Sequence, residues 1–390
     1  MTLPNPNSNL NEPTPRVIRT RSLEFDILKT IGIFCIILAH TLPKTEVFIY
    51  QLRNFDVPLM VMVSGALFWI TSANANYSYI QYLKKRVSRL ILPIWCFWVF
   101  FFTISILITG VQGVPYPFSL KEIFYSFTLL IGGVGYVWII RVFLLIALIS
   151  PFILTFKKQV KNNWIFLLLI SVIYGGYEIL VNWFNSLPLI SISSFSDFLY
   201  QRIFISLLMS QIILLLIPYS LLFALGIVMT QIPQKKLLAI ALGFAIIFVT
   251  LAINYSQDAG SFVLTQNYKY PPRLYYISYS ILMTIVSYLI ASYVSKNHSK
   301  FLKKTYLEQA FIYLSSSSLW IYLWHIFFLY YWKPLVRIFA IDPKVIPEFW
   351  VVASLSILMV YLQKTIVSSL CLKLPLGEKG LKWLKIALLQ

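Results

Sequence analysis

Lys29 and His40 stand at the two ends of the apolar run KTIGIFCIILAH. Eleven residues make roughly three helical turns, so both side chains fall on one helix face, about 16 Å apart along the axis. A cation at one end of such a face suits an anion. An imidazole at the other end can take or give a proton near neutral pH, or carry an acyl group briefly. Further ionisable groups sit among apolar residues: Asp26 ahead of the same run, Asp56 in FDVPLMVMVSG, Arg141 in WIIRVFLLIALIS, Glu178 in GGYEILV and His325 in SSSSLWIYLWH. The chain has three histidines, and the third, His298, lies in the basic loop SKNHSK as a solvated residue.

The elements that must position these groups are membrane helices. The 390 residues are 59% hydrophobic and 12% charged, with a mean hydropathy of +0.78, more apolar surface than a soluble domain of this length can bury. Ten apolar segments are long enough to cross about 30 Å of hydrocarbon. They span 24–42, 55–73, 88–110, 136–156, 162–182, 205–229, 237–254, 274–294, 310–332 and 347–372. The predicted fold is therefore an all-α polytopic bundle of about ten transmembrane helices.

Lys and Arg total 32 against 13 acidic residues, a net charge of +19. The basic residues fall in short clusters between apolar spans, which fits the positive-inside bias of membrane proteins and argues against a nucleic-acid partner. One alternate set of flanks holds 20 of them, including Lys84, Lys85, Arg86 and Arg89; the other holds 9, including Arg53, Lys269 and Arg273. Lys29, Arg141 and Lys364 lie inside spans. This bias puts both termini in the cytoplasm and makes the chain a multi-pass protein of the inner or plasma membrane.

Residues 1–22, rich in Pro and Asn, read as a disordered cytoplasmic tail, residues 23–372 as the membrane domain, and residues 373–390 as a basic cytoplasmic tail. Within that last tail, GEKGLKWLKIALLQ has the pattern of a short amphipathic helix on the inner membrane surface, or of a solvated basic end. Cys35, Cys96 and Cys371 lie in or beside apolar segments without metal-ligand or CxxC spacing, so no metal or redox site is expected.

With that orientation Asp26 and Lys29 lie near the inner face, while His40, Asp56, Arg141, Glu178 and His325 lie in the outer half. Ionisable groups inside a membrane are costly and are functional candidates by default. The pattern is an anion-binding mouth on the cytoplasmic side and an acid–base centre on the outer side. Each group also has a plainer reading. Lys29 can snorkel to the surface beside Asp26, His40 can be an interfacial residue, Arg141 and Glu178 can form a structural ion pair, and the serines before His325 can serve helix packing.

The chain resembles the integral-membrane acyltransferase 3 family over about residues 20 to 370. LEFDILKTIGIFCIILAH is similar to the family's pattern of a basic residue, ten others and a histidine, with Lys29 where many members have arginine. FDVPLMVMVSG, with Ser64 and Gly65, resembles its second-helix motif, and RVSR, with Arg86 and Arg89, its pair of arginines three apart. The Trp138-containing fourth span, KYPPRLYYISYS and SSSSLWIYLWH resemble later family segments.

The resemblance implies a cytoplasmic acyl-CoA donor, acetyl-CoA in the simplest case, and a hydroxyl acceptor on a glycan, lipid or other envelope molecule reached from the outer side. It assigns the donor's phosphates to Lys29, Arg86 and Arg89. It assigns the chemistry to His40, as base or acyl relay, with Asp56, Arg141 and His325 around it; Arg141 would steady charge developing at the acyl carbonyl. Membrane lipids surround the domain, and no metal takes part.

Two other classes compete. A transporter or flippase of a lipid-linked saccharide would also carry intramembrane charges, usually in paired halves with interrupted helices, which the sequence does not display. A membrane glycosyltransferase would carry catalytic carboxylates in a large outer loop, yet the loops at 183–204 and 255–272 hold only Asp197 and Asp258 as acids. The topology is directly testable. A reporter fused after Lys344 should read as extracytoplasmic and one after Lys304 as cytoplasmic, and the reverse pattern would invert every depth assigned above.

Overall fold

The computed structural model describes residues 21–42, 46–74, 78–130, 132–136, 138–186, 212–297, 306–338, 347–373 and 377–389. Among these the chain is 85% helical with no strand. The helices are α1 (Leu23–Thr41), α2 (Val47–Leu52), α3 (Asp56–Ser72), α4 (Tyr79–Gln112), α5 (Leu120–Thr128), α6 (Trp138–Gln159) and α7 (Asn163–Ser186). They continue with α8 (Leu214–Met229), α9 (Gln234–Ala259), α10 (Leu274–Lys296), α11 (Tyr306–Ser316), α12 (Ser318–Ile338), α13 (Glu348–Lys373) and α14 (Glu378–Leu388). The reporter positions Lys304 and Lys344, His298, Asp197 and the tail before Arg21 lie outside the described residues.

A helix stands at each of the ten predicted places. Among the described residues, seven stretches are long and apolar enough by themselves to cross a membrane, α2 and α3 counting as one, and the pair α11–α12 makes an eighth if it is one bent span. Helix α1 falls short of that standard because it carries Glu24, Asp26 and Lys29; α8 carries no charge but is only 16 residues long.

Two predicted spans differ in form. The span expected to run unbroken over 310–332 is interrupted at Ser317, where α11 and α12 meet at 74°. The hydrogen bonds at the interruption are those of a helix end. The Ser317 N–H donates to the Tyr313 carbonyl, the last bond of α11's own pattern, and also to the Leu314 carbonyl, a tighter i→i−3 bond at the helix end, while the Ser316 hydroxyl donates to the Tyr313 carbonyl. The third span, expected from residue 88, starts at Tyr79. Ser78 caps it by accepting from the Gln81 N–H, and the basic stretch that follows is built of good helix formers.

Helix α1 is the hub of the bundle, packed against α3, α10, α11, α12 and α13. The tightest pairing joins α3 to α8 through two glycines. A Cβ at Gly65 would lie 2.1 Å from the Phe223 carbonyl oxygen, and one at Gly226 would lie 2.1 Å from the Met62 carbonyl oxygen. Lipid gives helices no hydrophobic reason to associate, so small residues that let backbones touch do that work. The terminal helix α14 is more than a solvated tail. It packs on α4 and α13, and its Leu388 carbonyl accepts from Gln363, whose side-chain oxygen accepts from the Trp324 indole.

Gly65→Ala and Gly226→Ala should each force α3 and α8 apart, because the atoms met are backbone and cannot rotate away. A stability loss of about 1–3 kcal/mol is expected for each. Thermal unfolding of the purified protein in detergent would read it as a lowered Tm, and an unchanged Tm would show that the two helices do not touch there.

Candidate functional site

A cavity of about 940 Å³ opens between α1, α3, α4, α6 and the α11–α12 break. Four cations line it: Lys29 from α1, and Lys85, Arg86 and Arg89 from α4. The α4 residues share one face by their three- and four-residue spacing. No Asp or Glu is among the lining residues. The three side chains expected to meet an anion are therefore brought to one chamber from helices that are far apart in sequence.

Local contacts explain why these charges face the cavity. Asp26 is held by Arg21 through two hydrogen bonds of 2.6 and 2.8 Å, so it is not the partner of Lys29 that its position three residues earlier suggested. Among the described residues Lys29 makes no hydrogen bond or ion pair. Arg86 donates to the Ser64 hydroxyl at 3.0 Å. Ser64 thus fixes a guanidinium, while its neighbour Gly65 admits α8.

Two imidazoles meet at the far end of α1. The rings of His40 and His325 are stacked with centroids 5.6 Å apart. His325 is fully buried, and its Nδ1 meets the Tyr322 carbonyl. A carbonyl can only accept, so Nδ1 carries the hydrogen and Nε2 keeps its lone pair. That Nε2 has no hydrogen-bond partner among the described residues. The edge of Tyr136 covers His40 with centroids 4.5 Å apart, and the Tyr322 hydroxyl donates to the Tyr136 carbonyl. Tyr322 also lines the cavity, so one residue links the cationic chamber to the histidine pair.

Asp56 lies at the same end of the bundle within a buried triad. Its Oδ1 accepts from the Lys269 ammonium at 3.0 Å and from the Val57 N–H at 2.8 Å, and its Oδ2 accepts from Arg53 at 3.3 Å. All three side chains are 3% exposed. Arg53 and Lys269 had been counted among the loop charges, whereas the structure buries both. Arg53 was within reach of sequence reasoning, three residues before Asp56; Lys269 comes from a loop 213 residues away and left no local sign. Gln51 and Asn54 bond Thr265 and tie the two loops together.

Arg141 is half-buried on α6 one turn after Trp138, in the stretch whose Ile139, Ile140 and Phe143 wall the cavity. Trp138 packs edge-on against Tyr270, and Lys269 lies over its ring at 5.8 Å, which anchors the start of α6 to the Asp56 triad. The ion pair considered for Glu178 with Arg141 is made elsewhere. Glu178 accepts from Arg273 at 2.6 Å, from the Leu274 N–H at 2.6 Å and from Tyr174, which fastens α7 to the start of α10. That assignment therefore corrects the sequence reading, because Arg273 reaches the carboxylate as the residue preceding α10.

The site thus joins an acid-free cationic chamber to paired imidazoles through a helical bundle. A family profile described as an acyltransferase domain, Acyl_transf_3, matches residues 22–362. No curated protein and no solved structure shows a significant match. The matched stretch contains Lys29, His40, Asp56, Arg86, Arg89, Arg141 and His325, and it is most of the chain. Seven stretches of the described helices are long and apolar enough to span a membrane, and the protein is accordingly an integral membrane acyltransferase that belongs to the acyltransferase 3 family.

Proposed function

We infer that the protein transfers an acyl group, acetyl in the simplest case, from cytoplasmic acyl-CoA to a hydroxyl of a glycan, lipid or other envelope acceptor on the opposite face. The observation that carries this reading is the cavity with four cations and no acid, linked through Tyr322 to the His40–His325 pair. A CoA donor has several phosphates at one end and a thioester at the other. Lys29, Arg86 and Arg89 suit the phosphates. His40 lies about 16 Å further along α1, a distance suited to the extended arm between the phosphates and the thioester.

In this scheme His40 removes the proton from the acceptor hydroxyl as that oxygen attacks the thioester carbonyl, and the departing thiolate receives a proton in turn. The same ring could instead carry the acyl group briefly between donor and acceptor. His325 holds its Nε2 lone pair beside this centre, and Arg141 steadies the charge that develops on the carbonyl oxygen. Asp56 acts as a positioning residue, since both its oxygens are already engaged in holding the turn before α3 against the Lys269 loop. The excess of basic residues on one set of flanks supports cytoplasmic termini and an inner or plasma membrane location.

His40→Ala should lower acyl transfer roughly 10²–10⁴-fold while the protein still folds into the membrane. Transfer from radiolabelled acetyl-CoA by equal amounts of purified protein measures this, and a wild-type rate would make His40 structural. Lys29→Gln should raise the KM for acyl-CoA by roughly tenfold with kcat little changed, because a ground-state charge contact is lost, whereas Lys29→Arg should keep most activity. A KM equal to wild type would remove Lys29 from the donor site. A translocator of lipid-linked saccharide would show no transfer from acyl-CoA at all.

A further inference from the structure

We propose that the break between α11 and α12 is a binding site for a phosphate group, held by the first backbone N–H groups of α12 and by Ser315, with Lys364 beside it. It deepens the acyl-CoA reading by adding neutral donors, in the same cavity as Lys29 and Arg86, for a phosphate of the donor.

The break opens onto the cavity, because Ser315, Ser316, Ser318 and Leu319 all line it. The Ser317 carbonyl accepts from the Ile321 N–H at 2.9 Å, which makes Ser317 the cap of α12. The N–H groups of Ser318, Leu319 and Trp320 therefore precede the first acceptor within that helix. Three aligned donors and the positive end of a 21-residue helix favour an anion.

A second observation points independently to a ligand. Ser315 is 3% exposed, and its hydroxyl has no hydrogen-bond partner among the described residues. Its neighbours are satisfied: Ser316 donates to the Tyr313 carbonyl, and Ser317 accepts from the Lys364 ammonium at 2.8 Å. Serines that served packing alone would bond locally as Ser316 does. A buried hydroxyl left unpaired is costly, and a ligand oxygen would satisfy it.

Charge completes the argument. Lys364 brings a cation to a helix end that is already positive and whose Ser318 and Leu319 line the same cavity as Lys29, Lys85, Arg86 and Arg89. Such a concentration of like charge opposes itself unless an anion with several acceptor oxygens joins it. A phosphate has that form.

The test is titration calorimetry of the full-length purified protein with CoA and, separately, with inorganic pyrophosphate. Wild type, Ser315→Ala and Lys364→Gln are compared, with the melting temperature of each ligand-free protein as the folding control. Both variants should bind both ligands roughly tenfold more weakly and keep the wild-type melting temperature. If Ser315→Ala does not fold, Lys364→Gln decides. Wild-type affinity of the folded variants for CoA and pyrophosphate would overturn the phosphate site and leave the acyl-CoA reading intact. Pyrophosphate binding that depends on Ser315 or Lys364, in a protein that does not bind CoA, would keep the site and overturn the donor. Binding of neither ligand by wild type would overturn both.

Discussion

A charge inside a bilayer must be met by another polar group, and this requirement organises the molecule. Asp26 is met by Arg21, Asp56 by Arg53 and Lys269, Glu178 by Arg273, and Arg86 by Ser64. Apart from Arg21–Asp26 and Arg53–Asp56, these contacts join groups distant in the chain, so each also fixes one helix or loop against another. Removing one member of such a pair would leave the other desolvated, which is far more costly than the loss of a surface pair. Against this background the cations of the cavity wall stand out, because no carboxylate accompanies them there.

Packing serves the same arrangement. Helix α1 can carry Lys29 and His40 through the centre only because five other helices surround it. The close approach of α3 and α8 at Gly65 and Gly226 sets the position of Ser64, and with it the guanidinium of Arg86. In the same chamber, the break at Ser317 exposes a helix start, while α12 continues toward His325. The two ends of the site are therefore held by a backbone contact and by a backbone interruption.

Much of this was legible in the sequence because apolar runs and buried charges are local properties. Helices occur at all ten predicted places, and Lys29, Arg86 and Arg89 do share a chamber. His40 and His325 share a predicted depth, which alone could not say that their rings stack. What stayed hidden depends on tertiary pairing. The bonds from Lys269 to Asp56 and from Arg273 to Glu178 unite distant segments, and each basic residue alone reads as an ordinary flank charge. The interruption at Ser317 was also missed, since the run of four serines keeps enough hydropathy around it to pass as a continuous span. The break occupies a single residue, which a span-length average cannot register.

Helix α4 has 34 residues, about 51 Å at the usual rise per residue. Membrane helices tilt by up to roughly 40°, and at that limit the projection of α4, about 39 Å, still exceeds a hydrocarbon layer of about 30 Å. Part of the helix must stand in the headgroup region, and charge selects its start, where Lys84, Lys85, Arg86 and Arg89 occur. The rim of the chamber is then bathed in lipid phosphates as well as in solvent. Anionic phospholipids become competitors for the same guanidinium and ammonium groups, so the lipid composition of the surrounding leaflet sets an effective background against which any soluble anion must bind.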